Sequence, residues 1–466
     1  MSSKLFYPNT KATPETIFSL STLNKVVGEL LSWQQGVGAF GKIILHGCWL
    51  ESSVLQRRYH GQYGSLAAEY LKNMMQLYEA TDDGLWQRHA RGLVENILWL
   101  QDEQGGFRHS SAELEPAYFS RQTCPIHQGL PLRGLLTYYT WPHCDPVLKQ
   151  PLKTAIDQHI SWFIKRFWQV GNAFKRPLPH AGWCGVTNQD LVVINNLAAY
   201  GNIFGDWSHY ETYGKPALEV YLSDIYYYPE LGKFERGDAA NFVERTPYYH
   251  IILEMLGSIH THTADERLPA VIKNIGEALF EAAFTSAEGN TYLAFGMATD
   301  PDDKTIRGEW IQRPCYASPT LLLEMKHHLN QYPNQERQRI YDALKETFCQ
   351  YVYADGTIPN ALGTEDPLFV AVSQNNWLDL LLSSLNDKTI KNIEPEPPLH
   401  IERHCDDLVY QSNPTAWRIL RGGEVQYTGI KLDSGAITIG NELFARAPDL
   451  GFSNAEITEY VAAIAP

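Results

Sequence analysis

Residues 66–100 read LAAEYLKNMMQLYEATDDGLWQRHARGLVENILWL, and this stretch decides the fold class. Its first half carries apolar side chains at Leu66, Tyr70, Met74 and Leu77, and its second half at Trp86, Ala90, Leu93, Ile97 and Leu100. Steps of three and four trace one helix face in each half, because a turn takes 3.6 residues. Between them, Thr81-Asp82-Asp83-Gly84 is a short polar turn. Two amphipathic helices joined so briefly lie antiparallel, as a helical hairpin.

The pattern recurs outward from this hairpin. Leu268, Ile272, Ile275 and Leu279 form another ladder after an N-cap candidate at Asp265. Helices are expected near 15–35, 62–79, 84–101, 129–140, 148–168, 189–204, 210–222, 242–260, 265–284, 317–329, 334–351 and 370–386. Short turns alternate with long aromatic loops at 102–128, 169–187 and 285–316. Hairpins of unequal length disfavour an open solenoid of fixed period and point to an all-α (α/α)6 toroid, whose long loops would gather around a ligand cleft. At Glu394-Pro395-Glu396-Pro397-Pro398 the helical pattern stops, since consecutive prolines remove donors and force extended backbone. Beyond it, 407–410, 416–420, 425–430 and 436–439 read as short strands, with Arg421-Gly422-Gly423-Glu424 as a turn. The expected organisation is a toroid over 1–393 and a Pro-rich linker with a short C-terminal β-rich appendage over 394–466.

The 466 residues are 44% hydrophobic and 20% charged, ordinary for a chain that buries a large core. Lys plus Arg total 38 against 53 for Asp plus Glu, a net charge of −15 that disfavours nucleic acid as a main partner. No apolar run is long enough to span a membrane, and Met1 to Thr10 lacks a secretory layout, so a cytoplasmic location is expected. The seven cysteines include no Cys-x-x-Cys pair, which argues against a disulfide framework and a zinc ribbon. Gly182-Trp183-Cys184-Gly185 resembles the zinc-cysteine segment of the lanthionine cyclases, but the later Cys-His pair is absent, so no metal site is expected. No cofactor is called for, although a divalent cation stays open. The 12 Trp, 26 Tyr and 18 Phe fit a cleft with stacking surfaces, as sugars require.

The densest polar and aromatic constellation runs from His180 to His250. It opens with His180-Ala181-Gly182-Trp183-Cys184-Gly185-Val186-Thr187-Asn188-Gln189-Asp190, where Thr187 can cap a helix beginning at Asn188. It closes with Asn241-Phe242-Val243-Glu244-Arg245-Thr246-Pro247-Tyr248-Tyr249-His250, again a loop entering a helix, with Pro247 suited to a first turn. A helix begun by Glu244 would put Glu244 and Tyr248 one turn apart.

An Asn-bearing helix start, about sixty residues of hairpin, and a Glu-x-x-x-Tyr-Tyr-His helix start resemble the toroid half of the heparinase II/III and related alginate lyases. The resemblance implies β-elimination on a uronate-containing oligosaccharide or polysaccharide. It implies Asn188 as the group neutralising the uronate, Tyr249 or Tyr248 as the proton-transfer tyrosine, and Glu244 and His250 as its support. His180, Trp183, Gln189, Arg245 and Trp310 are the expected substrate contacts. Gln189 stands where those lyases usually have His, and their large β-sandwich is replaced here by the short segment after residue 400, which holds His400 and His404. A tyrosine base would need its pKa lowered by neighbours such as Arg245 or His250. The alternative for Tyr248, Tyr249 and His250 is helix-face packing with satisfied polar tips.

Three other functions compete. Paired carboxylates for glycoside hydrolysis could come from Asp190, Glu244, Asp302, Glu309, Asp355, Glu365 or Asp366. Asp300-Pro301-Asp302-Asp303 resembles the acid motif of class II terpene cyclases, with Asp302 as the acid, and is equally an ordinary solvated turn. A non-catalytic carbohydrate-binding toroid is the third. A uronate substrate needs local cations in so acidic a chain, and the candidates are Arg121, Lys175, Arg176, Arg245, Arg307 and Arg313.

Overall fold

The computed structural model describes residues 11–40, 48–49, 60–61, 63–107, 124–168, 182–236, 243–299, 307–315, 318–353, 356–359, 362, 371–396, 401–405, 408–412, 416–421, 424–432 and 435–440. In chain order the helices are α1 (Pro14–Ile17), α2 (Leu20–Phe40), α3 (Tyr63–Thr81), α4 (Gly84–Leu100), α5 (Pro125–Thr140), α6 (Lys149–Phe167), α7 (Thr187–Phe204) and α8 (Lys215–Tyr221). They continue as α9 (Tyr249–Thr263), α10 (Leu268–Glu281), α11 (Ser318–Gln331), α12 (Gln335–Gln350), α13 (Ala371–Ser384) and α14 (Asp387–Ile390). A π-helical turn, Tyr210–Gly214, leads into α8, and a 3-10 turn, Thr246–Tyr248, leads into α9. Each expected helix has a counterpart, most with ends moved by a few residues, while that expected over 242–260 begins only at Tyr249 and that over 210–222 opens with the π-helical turn. Helical hairpins dominate the described chain, and its fold class is the all-α toroid with a small β appendage.

The chain divides into two compact units: Met1–Leu100 with Phe107–Arg121 and Cys349–Pro466, and Gln101–Gly106 with Gln122–Phe348. The expected boundary at 393/394 therefore falls inside the first unit. There, α3 and α4 form the hairpin read from residues 66–100, and Ala90, Leu93, Ile97 and Leu100 are all buried, as the ladder requires. Helix α13 packs on α2 and α3. The Gln374 amide pairs with both backbone groups of Ile358 (2.8 and 3.0 Å), and buried Trp377 donates to the Gly356 carbonyl (2.8 Å). The Pro-rich segment docks on α2: the Glu396 amide donates to the Asn24 carbonyl and the Glu394 amide to the Asn24 side chain. Gly28 permits that approach, since a Cβ there would lie 1.7 Å from the Glu396 carbonyl oxygen.

The strands, in chain order, are β1 (Cys48–Trp49), β2 (His60–Gly61), β3 (Tyr227–Tyr228), β4 (Lys233–Phe234), β5 (Ala283–Thr285), β6 (Thr291–Thr299), β7 (Arg307–Pro314), β8 (Ile401–Cys405), β9 (Leu408–Ser412), β10 (Ala416–Arg421), β11 (Glu424–Leu432) and β12 (Gly435–Gly440). The last five form one antiparallel meander, the four expected strands plus β8.

In the second unit α7 packs against α5 and α9. Every residue from Thr187 to Gly201 is buried, so this helix has no solvent face over four turns. Gly129 lets α5 approach it, with Val192 2.7 Å from where a Cβ would sit and the Asn196 amide donating to the Gly129 carbonyl (2.7 Å). The segment 285–316, expected as a long loop, instead holds the antiparallel sheet β5-β6-β7. Its burial shows no alternation along Tyr292–Met297, so the period-2 signal of a half-buried strand is missing from the sequence.

Candidate functional site

The start of α7 is built from a buried carboxylate. Asp190, 1% exposed, reaches back to accept from the Cys184 and Gly185 amides (3.1 and 3.0 Å) and from the Tyr221 hydroxyl (2.6 Å). The Cys184 thiol points at the same carboxylate (3.0 Å). Burial pushes the Asp190 pKa up, against the pull of these donors, and it drives the Cys184 and Tyr221 pKa values well up too. Asp190 therefore shapes the 182–186 turn. The expected Thr187 cap does not form: the helix begins at Thr187, whose hydroxyl donates to the Glu235 carbonyl (2.8 Å).

That bond marks the segment sequence reading overlooked. Residues 233–236 run between the two motifs, with Val186 bridged to Arg236 on one side and Glu235 bridged to Val243 on the other. The His180–Asp190 and Asn241–His250 motifs thus meet through this strand. Arg236 donates to the Glu244 carboxylate at 2.7 Å, with the acid side chain fully buried and the arginine 12% exposed. The Arg245 amide donates to the same carboxylate oxygen (3.0 Å). Alternation along the ladder puts Arg236 and Glu244 on one face and Glu235 and Val243 on the other. On that second face Tyr228 donates to Glu235 (2.9 Å), and Tyr228, Leu231, Val243, Met297 and Trp310 cluster. Lys233, 2% exposed, lies 4.8 Å from the Tyr249 ring centroid and 4.7 Å from that of Trp310. Charged residues read as surface in a sequence; burial among aromatic rings is a tertiary fact.

The two tyrosines of the second motif differ. Tyr249 is fully buried, its hydroxyl accepts the Phe234 amide (3.0 Å), and burial drives its pKa well up, opposite to the lowering a base needs. Tyr248 is only partly buried, with the Arg236 guanidinium 5.2 Å from its ring centroid. Because the chain turns through a 3-10 segment and α9 begins at Tyr249, Glu244 precedes the helix and is not one α-turn from Tyr248. Half-buried His250 places Nδ1 2.5 Å from the Pro247 carbonyl oxygen, so Nδ1 carries the proton in the neutral ring.

Asn188 is 3% exposed and its side-chain oxygen has no hydrogen-bond partner among the described residues. Gln189 is buried beside the Cys184 thiol. Trp183 is fully buried, packed on Phe163 and Trp168 at 5.3 and 4.8 Å between centroids, which fits an aromatic core position. Arg245 and Arg313 are exposed and flank Phe295. Glu309 is exposed on β7. His180, Arg121, Lys175, Arg176, Asp302, Asp355, Glu365 and Asp366 lie outside the described residues, as does the side chain of Arg307. Among the described residues, no group of three His, Cys, Asp or Glu side chains could hold a metal ion, and no helix is long and apolar enough to cross a membrane.

No protein-family model matches the chain, and no curated protein matches its sequence. The fold is that of solved (α/α) toroid proteins. Cellobiose 2-epimerase from Bacillus thermoamylovorans superposes with a TM-score of 0.53 at 9% identity, over 78% of this chain and 100% of that one. A family 76 glycoside hydrolase, a mannosidase from Bacteroides thetaiotaomicron, superposes with a TM-score of 0.51 at 10% identity, over 80% and 98%. At such identities the likeness is one of fold.

Proposed function

We propose that the chain is a carbohydrate-active enzyme that cleaves a uronate-containing oligosaccharide or polysaccharide by β-elimination. The observation that carries this reading is the meeting of the two motifs through residues 233–236, with Arg236 bridged to Val186 and paired with Glu244. The fold it shares with a sugar epimerase and a mannosidase supports the wider class.

In the elimination a base takes the proton α to the uronate carboxylate. The electron pair becomes a carbon–carbon double bond and the glycosidic oxygen leaves with a proton. Acidifying that carbon requires hydrogen bonding to the carboxylate, the role we give to the Asn188 amide. We assign proton transfer to Tyr248, because the Tyr249 hydroxyl is committed to a backbone amide and its pKa is raised. The Arg236 guanidinium, paired with Glu244, lies against the Tyr248 ring, and we keep His250, two residues on, as the supporting group. Glycoside hydrolysis by Glu235 and Glu244 is less well supported, since these two lie on opposite faces of their ladder.

The test is direct. Incubation with uronate oligosaccharides should generate ultraviolet absorbance from the new conjugated double bond, and Tyr248→Phe should lower its rate by about 100-fold or more. Tyr249→Phe should keep the rate and lose about 1 kcal/mol of stability. New reducing ends without absorbance would replace the lyase with a hydrolase, and binding without either product would leave a carbohydrate-binding protein.

A further inference from the structure

Two guanidinium groups from separate elements converge on one ring. Arg245, at the entry to the 3-10 turn, sits 5.1 Å from the Phe295 ring centroid, and Arg313, on β7, sits 4.2 Å from it. The hairpin lies beside the turn: a Cβ on Gly296 would be in ordinary contact with the Arg245 Cα, at 3.8 Å. Both arginines are exposed, Phe295 is half-buried, and neither arginine forms an ion pair with a described residue. This is unusual for a chain with 53 acidic residues against 38 basic ones. Two like charges sharing one ring, with no acidic partner among the described residues, repel each other, a cost that an anion bound between them removes. A guanidinium stacked on an aromatic face is ordered before binding, and its N–H edge stays open to a planar oxyanion.

We infer that Arg245 and Arg313, held by Phe295, form a subsite for the carboxylate of a uronate residue next to the one that reacts. This rests on the carbohydrate reading of the same site and extends it: the enzyme selects substrates carrying acid groups on consecutive sugars. Arg313 and Phe295 are the specificity-determining residues, acting on binding. The subsite needs both the turn and the hairpin, so it exists only in the folded unit.

The experiment is calorimetric titration of the full-length chain with tetrasaccharides prepared from alginate, polygalacturonate and glucuronan, each compared with its carboxyl-reduced neutral form. The wild type should bind at least one acidic tetrasaccharide about tenfold more tightly than its neutral form, with affinity falling as salt is raised. Arg313→Ala should weaken acidic binding about fivefold or more while leaving neutral binding unchanged, and Arg313→Lys should recover part of the loss. The double variant Arg245→Ala/Arg313→Ala should abolish the salt dependence. Circular dichroism and the thermal midpoint verify that each variant is folded. Equal affinity for acidic and neutral forms, no binding of any acidic tetrasaccharide, or unchanged acidic binding by the double variant each overturns the subsite. Charge-dependent binding without ultraviolet product keeps the subsite and overturns the lyase, whereas product formation with unchanged KM in the double variant does the reverse.

Discussion

Replacing Asp190 with Ala tests whether one buried carboxylate builds the start of α7. Its removal strands the Cys184 and Gly185 amides and the Tyr221 hydroxyl inside the protein, at 1% exposure for the residue they serve. A buried donor without a partner costs about 1–3 kcal/mol. Set against this, the variant no longer buries a charge, the burden expressed in the raised Asp190 pKa. The net expectation is a loss of about 3–5 kcal/mol. Asp190→Asn should cost less, because one oxygen still accepts and the Tyr221 hydroxyl can turn to accept from the new amide. Urea unfolding gives the total, and hydrogen exchange by mass spectrometry locates it: peptides covering 182–190 should lose protection while those of α12 keep theirs. If Asp190→Ala unfolds within about 1 kcal/mol of the wild type and exchange across 182–190 is unchanged, the carboxylate does not anchor the turn.

Three further outcomes follow from other parts of the chain. His159 is fully buried with Nδ1 2.8 Å from the Gly105 carbonyl oxygen, and burial lowers its pKa from 6.5 to about 4. Because the folded value is depressed, this contribution is complete above pH 6.5 and is lost as pH falls toward 4, about 3 kcal/mol in all. Stability measured at pH 7 and 4.5 should therefore fall less in His159→Gln than in the wild type, and parallel losses would count against it. Arg236→Met alone should cost about 3–5 kcal/mol by leaving the Glu244 charge buried, while Arg236→Met/Glu244→Leu should cost less than the sum of the single changes. Strict additivity in a urea-unfolding cycle would refute the coupling. Gly28→Ala should lose about 3 kcal/mol or release residues 394–396 from α2, read by thermal midpoint and proteolysis within that segment. An unchanged midpoint and cleavage pattern would mean the linker does not dock there.

The helices were legible because their apolar positions repeat at a period the backbone imposes, and Ala90, Leu93, Ile97 and Leu100 are buried as that period demands. The β6–β7 hairpin was not, since Tyr292, Leu293 and Ala294 are buried in succession and Asp300-Pro301-Asp302-Asp303 reads as a loop. The two motif stretches could be marked from residue types alone. What joins them could not: Lys233, Glu235 and Arg236 have the chemistry of surface residues, and it is the pairing of Lys233 with Tyr228 and the bridges of Arg236 to Val186 and of Glu235 to Val243 that place them. The different surroundings of the two tyrosines were equally hidden, because Tyr248 and Tyr249 are neighbours in sequence and only the Tyr249 hydroxyl accepts the Phe234 amide.

Helix α7 has no side turned to water between Thr187 and Gly201. Each position along its shaft is therefore a fixed volume enclosed by neighbours, where a replacement is judged by size before chemistry. Polar side chains on it are held by partners as well, Thr187 and Asp190 in the first turn and Asn196 farther along, whose amide donates to the Gly129 carbonyl. The shaft thus serves as a gauge that passes only side chains of the right bulk. A designer altering this protein would accordingly leave Leu191 to Gly201 alone.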